Sequence, residues 1–152
     1  MTTKASRPLL AEVPKESTFA YGSLDDAFPN VQPGLKPFGD KVLVQIRTPM
    51  TRTKGGIYVP EEARETEQWN TQVAKVISLG PVAFKNRDTL QSWPEEAWVR
   101  PGMYVRCPKY GGDRWEVRLP NSPDSALFVL FRDVDLVGEI DGDPLEMVAY
   151  LK

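Results

Sequence analysis

Residues 41–47 read Lys-Val-Leu-Val-Gln-Ile-Arg, and this stretch decides the fold class. Val42, Val44 and Ile46 point to one side of an extended chain and three polar residues to the other, which is the period-two pattern of a half-buried strand. Further strands are predicted over residues 73–79, 103–107, 114–119, 126–131 and 134–140. Six short strands separated by turns that contain glycine and proline predict an all-β domain. Its antiparallel sheet must close into a small barrel or stack as a sandwich to bury its apolar face.

The composition is that of one globular domain without long helices. The chain has 152 residues, a formal net charge of -2 and 41% hydrophobic residues, which is sufficient for one core. Its 14 prolines leave residues 61–80 and 124–143 as the longest proline-free intervals. Because an interior proline removes a helical hydrogen bond and clashes with the preceding turn, long helices are largely excluded.

The residues needed for several kinds of chemistry are missing or isolated. The chain has no histidine and one cysteine, Cys107, which excludes histidine-based triads, most zinc sites and an internal disulfide. Cys107 shares a face of its predicted strand with Val105, so we expect it in the core. Carboxylate pairs such as Asp133 and Asp135 are expected to be solvated. We therefore expect no enzyme activity, no metal site and no cofactor.

Charge and hydropathy argue against two classes of partner. Charges of both signs are mixed along the chain, and no apolar stretch approaches the length of a membrane span. We therefore expect neither nucleic acid nor a membrane as a partner. The first residues lack the apolar core of a secretory signal, so a cytoplasmic location is expected.

Three regions of the chain differ in pattern. Residues 1–34 contain four prolines and little apolar periodicity, and they are predicted to form an irregular N-terminal arm with one helical turn at 23–28. Residues 35–140 hold the predicted strands. Residues 141–152 form a short C-terminal extension.

Four segments, in order, resemble the GroES-type co-chaperonins, the ten-kilodalton chaperonin family. They are Lys36-Pro37-Phe38-Gly39-Asp40-Lys41-Val42-Leu43-Val44, Thr53-Lys54-Gly55-Gly56-Ile57-Tyr58-Val59-Pro60, residues 73–81, and the stretch from Val99-Arg100-Pro101-Gly102-Met103 to Gly138. The resemblance covers roughly residues 36–140. It implies a small antiparallel β-barrel over residues 35–140.

The resemblance also implies a chaperonin-binding loop. Residues 49–60 correspond to the family's mobile loop, which would contact the apical domains of a GroEL-type chaperonin. The residues expected to bind are Gly55, Gly56, Ile57, Tyr58 and Val59. Without the resemblance, a hairpin turn that leads into a short strand is the more common interpretation of these residues.

A homo-oligomer, in the family a seven-membered ring, is a further implication of the resemblance. The opening strand of one subunit pairs there with the closing strand of its neighbour, so each covers the other's unpaired edge. The subunit-interface residues expected on this basis are Val42, Val44, Ile46, Val134, Leu136 and Ile140.

The sequence departs from the family in three places. Residues 82–98 replace a short roof hairpin with a longer stretch that holds Phe84, Trp93 and Trp98, and the two tryptophans are candidate interface anchors. Together with the arm and the extension, this resembles bacteriophage-encoded versions. The first hypothesis is a co-chaperonin that caps a host chaperonin and assists the folding of phage proteins. The alternative is a virion structural or decoration protein that anchors its arm to capsid or neck proteins.

Overall fold

The structure of the protein, a computed structural model, describes residues 24–48, 71–120 and 125–146. In these residues one short helix precedes six strands. The elements are α1 (Leu24–Ala27), β1 (Lys41–Ile46), β2 (Val73–Leu79), β3 (Tyr104–Arg106), β4 (Asp113–Arg118), β5 (Ser125–Arg132) and β6 (Gly138–Glu139). The prediction of an all-β protein is confirmed.

The strands form one antiparallel sheet in the order β4-β5-β1-β2-β3-β6. The strand β1 lies in the middle, with β5 on one edge and β2 on the other. A bulge between Leu43 and Val44 shifts its register against β2, which increases the local twist of the pair. The turn after β2 brings Gly80 so close to the Gly39 carbonyl that no other residue would fit there.

Apolar side chains are buried on both faces of the sheet. Val42, Val44 and Ile46 point into the main core, together with residues from β2, β3 and β5 and from the stretch after β2. On the other face Leu43 packs with Phe128, and Val31 of the N-terminal arm packs against this second cluster. The strand β1 is therefore buried on both sides, whereas its alternating sequence predicted one solvated face.

The side chains of β1 that were expected at the subunit interface lie inside the single chain, and their interface role stays a prediction. Both edges of β1 already pair within the chain, and Val42, Val44 and Ile46 are completely buried there. A strand whose backbone groups are bonded on both sides cannot accept a further strand. These three residues belong to the core of a single subunit.

The predicted last strand is mostly a different structure. Asp133–Asp135 form a single 3-10 turn, and only Gly138–Glu139 pair as a strand, with β3 of the same chain. The turn forms because the Asp133 amide donates to the Asp40 carbonyl and the Asp133 carboxylate accepts from the Phe84 amide. Asp133 is thus a buried structural residue, which corrects the expectation that this carboxylate is solvated.

Candidate functional site

The residues expected to bind a chaperonin, Gly55, Gly56, Ile57, Tyr58 and Val59, lie outside the described residues. The structure describes the two places where their segment joins the sheet. Thr48 follows β1 and Thr71 precedes β2, and both are buried. The Arg47 amide donates to the Val73 carbonyl at 3.0 Å, so the two ends are bonded to each other. The described residues that flank 49–70 on its two sides therefore lie beside each other on the sheet.

An exposed groove of about 400 Å³ lies beside the start of β1. Its apolar lining comes from Leu35, Phe38 and Leu130. Phe38 is 85% exposed, which is unusual for a phenylalanine in a single folded domain. The basic residues Lys36 and Arg87 also line this groove. The combination of exposed apolar surface and positive charge is typical of a site that is covered by a partner.

A buried carboxylate stands among the basic residues of the groove. The Asp40 oxygens lie 3.4 Å from Lys41 Nζ, 3.4 Å from Arg132 Nε and 3.7 Å from Arg87 Nη1. Burial by itself would raise the pKa of Asp40, but the hydrogen bonds and charges of Lys41 and Arg132 outweigh it, so the pKa lies below its ordinary value of 3.8. Asp40 thus stays ionised, and the three cations around it leave the rim of the groove positively charged.

Exposed apolar and acidic residues lie together near the end of the domain. Val134 and Val137 are 47% and 62% exposed, while the acidic residues Asp135 and Glu139 alternate with them on the surface. We call residues 134–139 the ridge. Within the described residues, β6 is paired on one edge only. Leu136 and Ile140, which were also expected at the interface, are buried within their own chain.

Residues 82–98 fold over one end of the core. Phe84 is buried, and its ring lies 5.4 Å from that of Trp93 and 5.6 Å from that of Trp98. The two tryptophan rings are 5.2 Å apart, a distance of direct aromatic packing that leaves no room for a ligand between them. Both tryptophans thus contribute to local packing, and an interface role for the exposed part of Trp98 stays a prediction.

The described residues show how Cys107 and the candidate metal ligands are placed. Cys107 is buried, as predicted, and desolvation raises the pKa of its thiol to about 12. A thiol with such a pKa is a poor nucleophile at neutral pH. Within 24–48, 71–120 and 125–146, no three acidic, cysteine or histidine residues come together as a metal site. The helix in these ranges is far too short to cross a membrane.

Sequence reasoning missed Leu35 and Phe38 as surface residues. Leu35 follows Gly34, and Phe38 stands between Pro37 and Gly39. Both lie outside any alternating run, so periodicity gave no indication of where their side chains point. The available signal was the placement of two large apolar residues in a non-strand segment directly before β1.

Comparison with known sequences gives the family of the chain. The sequence model of the chaperonin 10 Kd subunit family matches residues 34–140, and the chain belongs to this family.

Individual relatives agree with this assignment. The chain is 34% identical over 112 residues to a co-chaperonin GroES of Methylacidiphilum infernorum, covering 74% of the chain and 99% of that protein. It is 28% identical over 107 residues to the co-chaperonin GroES of Rhodothermus marinus, covering 70% of the chain and 92% of the relative. A mitochondrial 10 kDa heat shock protein of Oryzias latipes is 33% identical over 103 residues, which are 68% of this chain and 90% of that one.

Proposed function

We propose that this protein is a co-chaperonin, which caps a GroEL-type chaperonin and assists protein folding without chemistry of its own. The observation that carries the proposal is the match of residues 34–140 to the chaperonin 10 Kd subunit family. A separate alignment of 112 residues covers 99% of a relative named co-chaperonin GroES. The residues that bind the chaperonin are Gly55, Gly56, Ile57, Tyr58 and Val59, within the segment 49–60.

Binding through this segment is weak for one subunit. Burying an apolar side chain such as Ile57 or Val59 in a groove of the partner stabilises the complex by about 1.5–3 kcal/mol. Each residue that becomes ordered on binding costs about 1–2 kcal/mol in conformational entropy. The two contributions nearly cancel for one segment. Several segments held in one ring act together through their effective concentration, and the cap becomes both firm and reversible.

The ring forms when the ridge of one subunit enters the groove of the next. Such a head-to-tail contact uses two different surfaces of the same chain and closes into a ring, seven-membered in this proposal. The positive rim of the groove is complementary in charge to Asp135 and Glu139 of the ridge. The exposed phenyl group of Phe38 can be covered by the ridge residues Val134 and Val137. These contacts replace the expected pairing through β1.

The departures from the family support a phage-encoded version that works in the cytoplasm of a host on phage proteins. Such a protein adds an arm, an extension and a larger roof to a conserved cap. The alternative of a virion protein needs an arm that reaches other proteins. The described part of the arm is instead bonded to its own sheet, through the Pro29 and Pro33 carbonyls, and this favours the co-chaperonin.

The test is a co-sedimentation assay with a bacterial GroEL-type chaperonin and ATP. We expect Ile57→Asp to abolish binding while the ring keeps its mass, because a carboxylate cannot enter an apolar groove without a large desolvation cost. Thr53→Asp adds the same charge outside the Ile57-Tyr58-Val59 tripeptide and serves as the matched control. Unchanged binding of Ile57→Asp would contradict the proposal.

A further inference from the structure

The arm and the C-terminal extension meet at the place where the segment 49–70 joins the sheet. We call this place the root. It consists of Arg47 and Thr48, which follow β1, and of residues 71–73, which lead into β2. The match to the family covers residues 34–140. The extension lies outside it, and the arm shares only residue 34 with it. The contacts of both therefore need an explanation of their own.

The arm is bonded to the root through backbone and side chain. The Ala27 carbonyl accepts a hydrogen bond from the Thr48 amide at 2.8 Å. The ring of Phe28 lies 5.1 Å from that of Tyr104, and Phe28 is buried in one cluster with Val73 of the root. The last described amide before the segment 49–70 is thus held by the arm.

The extension contacts the root as well. The Pro144 carbonyl accepts a hydrogen bond from Arg47 Nη1 at 2.8 Å, and Leu145 packs against the cluster that contains Phe28 and Val73. The guanidinium of Arg47 is buried, and a buried charge requires hydrogen-bond acceptors. Asp143 accepts from the Leu145 amide at 2.9 Å and keeps this turn in shape.

The rest of the arm is attached along the outer face of the sheet. Gln45 Nε2 donates to the Pro29 carbonyl at 2.9 Å, and Trp115 Nε1 donates to the Pro33 carbonyl at 2.8 Å. Val31 packs on the apolar cluster between these two bonds. The arm is therefore fixed over its described length and can transmit rigidity from the sheet to the root.

We propose that the arm and the extension form a clamp on the root, in which Phe28 and Pro144 are positioning residues for the chaperonin-binding segment. This inference rests on the proposed function. The clamp makes no contact with the chaperonin. It keeps the attachment points of the segment ordered before binding, so that less conformational entropy is lost when the segment docks.

Two variants open the clamp, one in the arm and one in the extension. Phe28→Ala removes the ring that joins the arm to the root, and a truncation after Asp141 removes Pro144 and Leu145. Leu24→Ala is the matched control, because it shortens an apolar side chain of the same arm that is partly exposed and outside the cluster. The truncation keeps the inference testable if Phe28→Ala does not fold. The wild type and Ile57→Asp are measured alongside.

The measurements are hydrogen exchange of peptides that contain Thr48, followed by mass spectrometry, and ATP-dependent affinity for a bacterial GroEL-type chaperonin. We expect Phe28→Ala and the truncation to accelerate exchange at Thr48 and to weaken binding by about tenfold or more, since a root residue must then be ordered again on docking. The ring mass should not change. Leu24→Ala should behave as the wild type in both measurements.

Faster exchange at Thr48 with unchanged affinity would overturn the inference while leaving the proposed function intact. Unchanged exchange in both variants would also overturn it, because the arm and the extension would then not hold the root. If the wild type does not bind the chaperonin, or if Ile57→Asp binds equally well, the proposed function fails first and the inference fails with it.

Discussion

Phe38→Ala should weaken the assembled ring of subunits without lowering the stability of the single subunit. Phe38 is 85% exposed in the single chain, so Phe38→Ala removes almost no internal packing, and the melting temperature of the isolated subunit should stay the same. In the proposed ring the same side chain is covered by the ridge of the neighbour. Burial of a phenylalanine contributes about 1.5–3 kcal/mol, and this contribution is lost at every subunit contact.

The loss corresponds to a dissociation constant per contact that is about 10 to 150 times higher. Because a closed ring has one such contact per subunit, the subunit concentration at half assembly should rise by about the same factor. Sedimentation velocity over a concentration series measures this midpoint directly. Leu90→Ala, which shortens an exposed side chain in the 82–98 stretch outside the groove lining, should leave the midpoint unchanged.

Two results would refute this reasoning. Normal assembly of Phe38→Ala would show that the groove is not the subunit contact. A clearly lower melting temperature of the dilute, dissociated variant would show that Phe38 packs inside its own subunit.

Two further predictions concern the core. The Phe84 amide donates to the Asp133 carboxylate at 2.8 Å, and Asp133→Ala leaves this amide without its acceptor. Chemical denaturation should therefore show a loss of about 1–3 kcal/mol in the free energy of unfolding. An unchanged denaturation midpoint would mean that another group satisfies the amide. Burial raises the pKa of Cys107 to about 12, so at pH 8 the folded protein should hold almost no thiolate. A thiol reagent should therefore react only after the protein is unfolded in guanidinium. Rapid labelling of the folded protein would show that Cys107 is accessible.

The strands could be predicted well where one side of the strand faces the core. The predicted range 73–79 coincides with β2, and residues 114–119 match β4 within one residue. In β4 apolar and polar residues alternate along the chain, whereas β2 is a short, mostly apolar run that ends at the turn Gly80-Pro81. The range 134–140 failed because its conformation depends on the Asp133 side chain and on Phe84, which is far away in sequence.

The subunit surfaces were the hardest part to predict. Alternation shows that a strand such as β1 has an apolar face but does not show whether its edges are free, because edges depend on the order of strands in the sheet. The burial of Gln45 was likewise hidden, since the Pro29 carbonyl that satisfies it belongs to the arm. A chaperonin-binding role for the residues around Ile57 could be proposed only through the family resemblance, because a Gly-Gly pair before three apolar residues is common in ordinary turns.

The most direct test of the central claim is electron microscopy of the protein mixed with a bacterial GroEL-type chaperonin and ATP. The proposed function predicts particles in which a sevenfold-symmetric cap of this protein sits on the end of the chaperonin cylinder, and it predicts that Ile57→Asp yields free caps beside bare cylinders. Bare cylinders with the wild-type protein, at concentrations where its ring is assembled, would contradict the claim.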